Sequence, residues 1–529
     1  MSEFEPHPTP GFEWTDRSRL QGLLTTGYGH LTHTAYLFLR LVNARRARAW
    51  LGDLLQRGVV TTARSWRARP GDPKVKPERA VNLAFTHAGL HRWGLDDETL
   101  HGFPPEFVAG PASDVTARSM GDEVDSAPRH WEFAGRKSGM MDVAVLVHAS
   151  TEAERGRVLA ELHESLDRRA RGALTPVAAI QLGRHLVHLD PVSGRRIVKE
   201  HFGFRDGISQ PELRGLKRGP ASRNGAGQNT TAPGEFILGY PDEYGFYPPT
   251  PLTRRDRDPD GSLPESPYRS RFPGYVDFGY NGSYLVYRKL GQDVAGFWGF
   301  LREQAERLSG WLDPGAMLWL AAKMVGRWPN GVPLVEAPNL VDMTRHSGPL
   351  NGFQYAKADP DGARCPFASH VRRANPRDSI RPGSAEQSLR MSARHRILRR
   401  GSSFGEPLFD LSVLDDPADR EALKVLRSLQ DDGQARGLHF LCLNSSIRRQ
   451  FEFVQQSWCA SGAFNGLRGE PDPLIGSIGG GGSASFTIPG CPGGIGMTLL
   501  SRFTQTRAAA YLFVPGMDTL RYLARLRGR

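Results

Sequence analysis

The sequence predicts an α+β protein with two similar halves, each an antiparallel sheet backed by helices. Short apolar runs of strand length recur along the chain, and helical periodicity follows several of them. The pentapeptide Tyr36-Leu37-x-x-Arg40 also returns as Tyr284-Leu285-x-x-Arg288, and each copy opens a strand–helix unit. These observations together predict a duplicated strand–helix architecture.

The predicted strands are short, rich in branched and aromatic side chains, and bounded by polar residues or glycine. They are Thr34–Val42, Val81–Thr86, Asp142–His148, Ser283–Arg288, Leu438–Leu443 and Ala510–Val514.

Two helices are predicted from the spacing of apolar residues. Leu290, Val294, Phe297 and Leu301 recur at helical spacing with charged residues between them, which places one apolar stripe on one helix face. Thr151–Arg169 has a similar apolar face opposite a charged one.

A polar region separates the two halves. Arg214–Pro233 is rich in Gly, Pro, Ser and Asn, and residues 248–273 are rich in Pro, Arg and Asp. Such composition is typical of surface loops. We therefore expect an N-terminal domain at residues 20–213, a loop or linker region at 214–273 and a C-terminal domain at 274–520.

The charge of the chain favours anionic partners without defining one. The 529 residues include 68 Lys and Arg against 56 Asp and Glu, which leaves a net charge of +12. Because the excess is spread over short runs, we do not infer a nucleic-acid-binding protein. The Gly476–Gly482 loop lacks the Gly-Lys-Ser/Thr ending of a phosphate-binding loop.

The expected location is the cytoplasm, with no membrane association. The N-terminal segment MSEFEPHPTPGFEW lacks the basic start and apolar core of a signal peptide, and no run is long and apolar enough for a membrane span. The four cysteines, Cys365, Cys442, Cys459 and Cys491, form no C-x-x-C pair. They predict neither a disulfide framework nor a structural zinc site.

Three segments carry reactive side chains, and each has an ordinary structural interpretation when it stands alone. Gly203–Gly207 (GFRDG) places Asp206 between glycines, a pattern typical of a turn. Cys365–Asp378 (CPFASHVRRANPRD) places His370 before a cluster of arginines, and a single histidine is more often structural than a ligand. His395–Gly405 (HRILRRGSSFG) is typical of a basic strand end that runs into a glycine turn.

Together and in this order, the three segments resemble those of the dye-decolorizing peroxidases. Gly203, Asp206 and Gly207 match the GxxDG motif of that family. The run from His370 to Arg377 matches its proximal-histidine segment, and the arginine strand before Ser-Ser-Phe-Gly matches its distal-arginine segment. The resemblance covers about residues 20–520, and the length is similar to that of the larger bacterial and fungal-like subfamilies.

The resemblance implies two ferredoxin-like domains, with haem b held in the C-terminal half. It implies that His370 is the iron ligand, oriented through its other ring nitrogen by an acceptor for which Glu452 is one candidate. It also implies that Arg377 pairs with a haem propionate. The positions that match haem contacts of the family are Gly207, Ile208, Ser209, Asn375, Pro376 and Arg377.

The resemblance further implies the residues that act on hydrogen peroxide. Asp206 would take a proton from peroxide and return it, which predicts activity in acid, and Arg399 would stabilise the charge that develops as the O–O bond breaks. Arg400 is adjacent, and only one of two successive strand residues can face the haem. Leu438 and Phe440 match the apolar residues that keep the distal pocket narrow.

Bulky aromatic reductants cannot enter so narrow a site, so the resemblance implies electron transfer through Tyr or Trp relays or at a channel beside a propionate. Trp319, Trp328, Trp458 and Tyr511 are available for a relay, although aromatic residues at such positions are usually core residues. The sequence leaves open whether the protein is a monomer or a homo-oligomer.

Two other functions remain as alternatives. A haem-handling protein with little peroxidase turnover needs His370 but has no need for Asp206 and Arg399, so the presence of both favours the enzyme. A basic polyanion-binding module on an inactive scaffold predicts no haem absorption band and salt-sensitive binding.

Overall fold

A computed structural model describes residues 17–64, 66, 74–135, 141–191, 193–215, 230–268, 270–309, 313–416, 419–478, 484–490, 493–499 and 502–526. The N-terminal segment used to predict the location, part of the predicted linker at 216–229, the end of the glycine loop at 479–482 and Cys491 lie outside these residues.

The described strands differ in length, and the longest of them build the central sheet. Within the described residues they are β1 (His33–Leu41), β2 (Arg79–Phe85), β3 (Val143–Ala149), β4 (Leu174–Pro176), β5 (Gln181–Arg184), β6 (Leu186–Leu189), β7 (Arg196–Lys199), β8 (Arg205–Asp206), β9 (Glu212–Leu213), β10 (Thr230–Thr231), β11 (Leu252–Arg254), β12 (Tyr275–Asp277), β13 (Ser283–Gln292), β14 (Leu398–Arg399), β15 (Ser402–Phe404), β16 (Gly437–Asn444), β17 (Ala484–Ile488), β18 (Ile495–Leu499) and β19 (Thr504–Val514).

The helices pack mainly on the outside of this sheet. They are α1 (Ala44–Gln56), α2 (His87–Trp93), α3 (Asp97–His101), α4 (Pro105–Ala109), α5 (Asp114–Ser119), α6 (Glu152–Arg169), α7 (Val294–Ser309), α8 (Pro314–Val325), α9 (Leu340–Arg345), α10 (Tyr355–Ala358), α11 (His370–Ala374), α12 (Ala385–Arg394) and α13 (Met517–Arg525), together with π-helical segments at Arg448–Glu452 and Val454–Ala460. None of the helices seen in the described ranges is long and apolar enough to cross a membrane.

Each half has the strand order of a ferredoxin-like fold, which confirms the predicted α+β class. In the first half β1 lies between β3 and the pair β4 and β5, and β2 lies outside β3. In the second half β13 lies between β16 and β19, and β14 and β15 lie outside β16. All these pairings are antiparallel, and in both halves the fourth strand lies beside the first.

The two half-sheets close into one ring. Strands β2 and β19 meet where Phe85 lies opposite Phe513, and β5 and β15 meet where Arg184 lies opposite Ser403. Because side chains alternate across a strand, one face of every strand points into the ring and the other points outward to the helices.

The alternation gives the central sheet an apolar core on each of its two faces. The ring encloses one that includes Tyr36, Tyr287 and Leu441, and the helices cover another that includes Tyr284 and Val286. The repeated pentapeptide is therefore out of register between the halves, since Tyr36 points into the ring and Tyr284 points outward. The duplication is real, but this repeat does not mark equivalent positions.

The two predicted helices are present with small differences at their starts. Thr151 is the N-cap of α6, and its side chain accepts from the backbone N–H of Glu154. Helix α7 begins at Val294, because Leu290 is still part of strand β13. A separate sheet of β6, β7 and β8 brings the GxxDG segment beside the second half of the chain.

Candidate active site

A mostly apolar cavity lies against the outer face of β13 and β16. Leu290 from β13 and Leu438 and Phe440 from β16 form its floor. Asp206 and His370, from different halves of the chain, both open onto it. The fold therefore unites residues that are 164 positions apart in the sequence (370 − 206).

His370 is the first residue of α11, and its ring is held by a buried carboxylate. Its Nδ1 lies 2.8 Å from Oδ2 of Asp472. A carboxylate only accepts hydrogen bonds, so Nδ1 carries the proton and Nε2 is left for a ligand. The backbone N–H groups of Leu474 and Ile475 donate to Oδ1 of Asp472 and fix its orientation.

Asp472 corrects one expectation from the sequence, because the acceptor for His370 is not Glu452. The side chain of Glu452 accepts instead from the hydroxyl group of Tyr511, at 3.0 Å. Burial lowers the pKa of His370, but the charge and the hydrogen bond of Asp472 outweigh burial and leave that pKa above its ordinary value.

Asp206 forms an ion pair with Arg399 at the cavity wall, with 2.7 Å between Oδ1 and Nη1. The backbone N–H of Gly207 donates to the same oxygen at 2.6 Å. Burial favours the neutral carboxyl group, but the charge of Arg399 and this N–H outweigh it, so the pKa of Asp206 lies below its ordinary value. Asp206 is therefore held as a carboxylate beside a cation.

The turn that presents Asp206 requires glycine at position 203. Gly203 has φ +99°, and a Cβ atom there would lie 2.2 Å from Cδ1 of Leu414. The carboxylate of Glu200 accepts the backbone N–H groups of Phe202 and Phe204, each at 2.9 Å. These contacts fix the path of the chain into β8.

Arg399 ends strand β14 and Arg400 follows it directly, so their side chains point to opposite sides of the strand. Arg399 lines the cavity, whereas Arg400 donates from Nε to the carbonyl oxygen of Leu23 at 2.8 Å. Of the two arginines, Arg399 is the one that lines the cavity.

The predicted haem contacts divide into two groups. Ile208, Ser209 and Asn375 line the cavity, together with Leu438 and Phe440. Gly207, next to Asp206, has φ +79°, and Pro376 and Arg377 follow Asn375; the lining includes none of these three among the described residues.

The side chain of Arg377 is held by backbone groups of the protein. Its guanidinium group donates to the carbonyl oxygens of Asn351 and Phe353 at 3.1 and 2.9 Å and lies over the Phe353 ring at 4.0 Å. Arg377 is buried and turned away from the cavity. Backbone carbonyl oxygens, and no group of the described cavity lining, accept from this guanidinium group, so its pairing with a propionate stays a prediction.

Arg396 is a cavity residue that sequence reasoning missed. It lines the cavity, and its buried Nη2 has no hydrogen-bond partner among the described residues. Burial and the nearby charges of Arg377 and Arg399 lower the pKa of Arg396 to about 9. An arginine held in this way needs an anion beside it, and a propionate meets that need.

Glu200 is a second residue that the motif did not reveal. It lines the cavity, and burial raises its pKa to about 7. The one feature of the sequence that could have indicated Glu200 is its position six residues before Asp206. A single Glu outside the motif is otherwise typical of an exposed surface residue.

The predicted relay aromatics are mostly core residues. Trp328, Trp458 and Tyr511 are buried, and Trp319 is partly buried against the core formed by α7 and α8. None of these three buried rings reaches the surface of the described structure.

The cavity fits haem on the evidence of its own side chains. Its lining includes two buried donors, Nη2 of Arg396 and Nη2 of Arg502, that have no hydrogen-bond partner among the described residues. Apolar side chains such as Leu290, Leu438 and Phe440 give the cavity an apolar surface, and His370 offers an unprotonated ring nitrogen, which is the usual axial ligand of iron in peroxidases. A macrocycle with one axial histidine and anionic substituents satisfies all three features.

The class that this fold and cavity define is that of the haem-dependent peroxidases, in which an acid–base group and a cation act opposite an oriented histidine. No protein-family model matches the sequence. A multifunctional dye peroxidase of an Amycolatopsis species is 30% identical over 449 residues, which are 83% of this chain and 81% of the relative. The chain therefore belongs to the dye-decolorizing peroxidase family and binds haem b.

Other comparisons agree with this assignment. A dye-decolorizing peroxidase of Mycena epipterygia is 30% identical over 428 residues, 77% of this chain and 66% of the relative. The solved structure of an ancestral D-type dye-decolorizing peroxidase matches with a TM-score of 0.71 at 25% identity, over 96% of this chain and 98% of that one. In fold, the chain is also similar to the DyP-type peroxidase of an Anabaena species, with a TM-score of 0.70 at 23% identity, over 96% of this chain and 94% of that one.

Proposed function

We propose that His370 holds the haem iron and that Asp206 and Arg399 together activate hydrogen peroxide. The observation that carries this proposal is the Asp206–Arg399 pair, which opens onto the same cavity as the Asp472-held ring of His370. A protein that only carries haem has no need for an ionised carboxylate paired with a cation at that place.

When bound, haem would supply an iron that takes up the two oxidising equivalents of peroxide. Asp206, held ionised, would take a proton from hydrogen peroxide and return it to the oxygen that leaves as water. Arg399 stabilises the negative charge on that departing oxygen. Asp472 keeps the proton of His370 on Nδ1, which leaves Nε2 unprotonated for the metal.

The reductants that we propose are phenols and dye-like aromatic compounds, which give up one electron at a time. Relatives of this chain are named for dye decolorization, and one solved relative was determined in complex with 2,6-dimethoxyphenol. Leu438 and Phe440 line the cavity with Asp206, and we propose that these apolar side chains keep the space above haem too narrow for a bulky ring. Such reductants would therefore donate electrons from outside the cavity.

The test is rapid-mixing spectroscopy of the haem-loaded protein with peroxide. Asp206→Asn and Arg399→Leu should each lower the second-order rate constant by about 100-fold or more, because each removes one group used only as the O–O bond breaks. Glu406→Gln removes an exposed carboxylate that pairs with Arg184 and should leave the rate unchanged. A wild-type protein that binds haem but reacts no faster than its two variants would instead be a haem-handling protein.

Two further parts of the sequence interpretation remain proposals. We propose domain limits of 20–213 and 274–520 with a linker region between them, supported by the ferredoxin-like strand order of each half. Limited proteolysis should cut within 214–273 first. We also propose action in the cytoplasm, supported by the free, buried thiols of Cys365, Cys442 and Cys459, and cell fractionation tests it.

A further inference from the structure

A tyrosine and a histidine form a hydrogen bond inside the ring, behind the floor of the haem cavity. The hydroxyl group of Tyr287 lies 2.9 Å from Nδ1 of His439. Both side chains are 1% exposed. The centroid of the Tyr36 ring lies 5.0 Å from that of His439 and 5.9 Å from that of Tyr287. Two oxidisable phenol rings and one basic imidazole ring are therefore packed together in the buried interior.

The direction of the hydrogen bond follows from the second nitrogen of the histidine. Nε2 of His439 lies 3.1 Å from the carbonyl oxygen of Leu182, which can only accept, so Nε2 carries a proton. Burial lowers the pKa of His439 to about 3, which keeps the ring neutral and leaves Nδ1 as an acceptor. Tyr287 therefore donates to His439, and burial raises the pKa of Tyr287 well above its ordinary value.

Both residues are adjacent in their strands to residues of the cavity floor. Leu438 and Phe440 flank His439 in β16 and line the cavity, and Arg288 follows Tyr287 in β13 and lines it as well. Successive strand residues point to opposite faces. The Tyr287–His439 pair is thus separated from the cavity only by the thickness of one sheet.

We propose that Tyr287 is a redox-active residue that reduces the peroxide-oxidised haem by one electron while its proton passes to His439. One electron leaves the phenol for the haem, the O–H bond of Tyr287 breaks, and an N–H bond forms at Nδ1 of His439. The products are a neutral tyrosyl radical and an imidazolium, and return of one electron and that proton restores the pair. This step rests on the peroxidase function proposed above.

The buried position of the Tyr287–His439 pair suggests what this electron transfer does for the enzyme. An oxidising equivalent at Tyr287 lies where neither solvent nor a bulky aromatic compound reaches, unlike one on the protein surface. It can wait there until a reductant arrives, instead of oxidising side chains around the haem. We therefore expect the pair to protect the enzyme when peroxide is present and reductant is scarce.

Tyr284 provides a matched control in the same strand. It is fully buried, as Tyr287 is, but it points to the other face of β13, and its hydroxyl group has no partner among the described residues. Without a base beside it, Tyr284 cannot release its proton in the same step. If both tyrosines only pack, replacing either one by Phe should have the same effect. If Tyr287 is redox-active, only its replacement should remove the radical.

The experiment is electron paramagnetic resonance of haem-loaded protein, frozen shortly after one equivalent of peroxide is added without reductant. We expect a tyrosyl signal that narrows with ring-deuterated tyrosine, that Tyr287→Phe abolishes and that Tyr284→Phe preserves. Tyr287→Phe should also bleach its haem after fewer equivalents of excess peroxide. A signal that persists in Tyr287→Phe, or no tyrosyl signal at all, overturns the proposal.

A measurement on the wild-type protein covers the case in which Tyr287→Phe does not fold. Labelling histidine with ¹⁵N should give the radical a nitrogen coupling from His439, and a radical without that coupling overturns the proposal. The haem absorption band distinguishes the two levels of failure. If peroxide leaves that band unchanged, the peroxidase function fails; if the band changes but no tyrosyl radical forms, only the role of Tyr287 fails.

Discussion

Replacing Asp472 by Asn removes a buried negative charge beside His370 and keeps the size of the side chain. The backbone N–H groups of Leu474 and Ile475 donate to Oδ1 at 2.9 and 3.1 Å, so an asparagine keeps its carbonyl oxygen towards them. Its NH₂ group must then face His370. The ring can satisfy that donor only by accepting at Nδ1, which moves the proton of the neutral ring to Nε2, the nitrogen needed by iron.

The expected loss is about tenfold to a hundredfold in haem affinity, the usual effect of removing the group that orients a metal-bound histidine. That range equals about 1.4–2.8 kcal/mol of binding free energy. The hydrogen bond itself leads to a similar value, since a bond to a charged group contributes about 1.5–3 kcal/mol. Titration of the apoprotein with haemin, followed by the haem absorption band, measures the change.

Glu452→Gln is the matched control, because it also replaces a carboxylate by an amide, but Glu452 accepts from Tyr511 and not from His370. It should bind haem like the wild type. Thermal unfolding of the apoproteins separates a change at the ligand from a change in folding. If Asp472→Asn binds haem as tightly as the wild type and with the same absorption spectrum, the reasoning about His370 is refuted.

Three further predictions concern the open side of the cavity, the interior and the GxxDG turn. Arg399→Leu should raise the acid limit, that is, the pH below which the reaction with peroxide slows. The ionised form of Asp206 is the active base, and without the cation burial raises the pKa of Asp206, so the carboxylate is lost at a higher pH. Arg372→Met should lower the free energy of unfolding by about 3–5 kcal/mol, because it leaves the buried carboxylate of Asp359 without its partner at 2.9 Å. Gly203→Ala should lower it by about 1–3 kcal/mol and slow the reaction with peroxide, because φ +99° and the close approach of Leu414 leave no space for a Cβ atom.

Each of these has a control. Arg400→Lys should leave the acid limit unchanged, because Arg400 points away from the cavity. Arg390→Met should cost less than about 1 kcal/mol in denaturant unfolding, because its pair with Glu386 is exposed. Gly299→Ala, in the middle of α7 with open space around it, should be neutral or stabilising. Variants that match their controls would contradict the corresponding predictions.

The sequence predicts the strands well because each carries its own local pattern. Thr34–Val42 and Val81–Thr86 differ from β1 and β2 by one or two residues at their ends, and Leu438–Leu443 lies inside β16. The closure of the ring leaves no such pattern. It depends on single residue pairs, such as Phe85 opposite Phe513, that are distant in the chain.

The site shows the same limit. Asp206 and His370 lie in segments whose order and spacing indicate chemistry, whereas Asp472 lies 102 residues beyond His370 between two prolines, where an acid is usually exposed. Arg396 and Arg377 stand in runs of arginines whose composition does not tell which guanidinium group is turned into the cavity. Tertiary packing alone decides that: Arg396 lines the cavity, whereas Arg377 does not.

The closed ring can form only after both halves of the chain have been synthesised. A ribosome completes β1 to β5 first and leaves the edges of β2 and β5 without neighbours until β15 and β19 have been synthesised. Thr504 and Thr506 of β19 are part of the cavity wall, so the wall is finished only when almost the whole chain is available. The complete haem-binding cavity therefore cannot form before the C-terminal strand β19 has been synthesised.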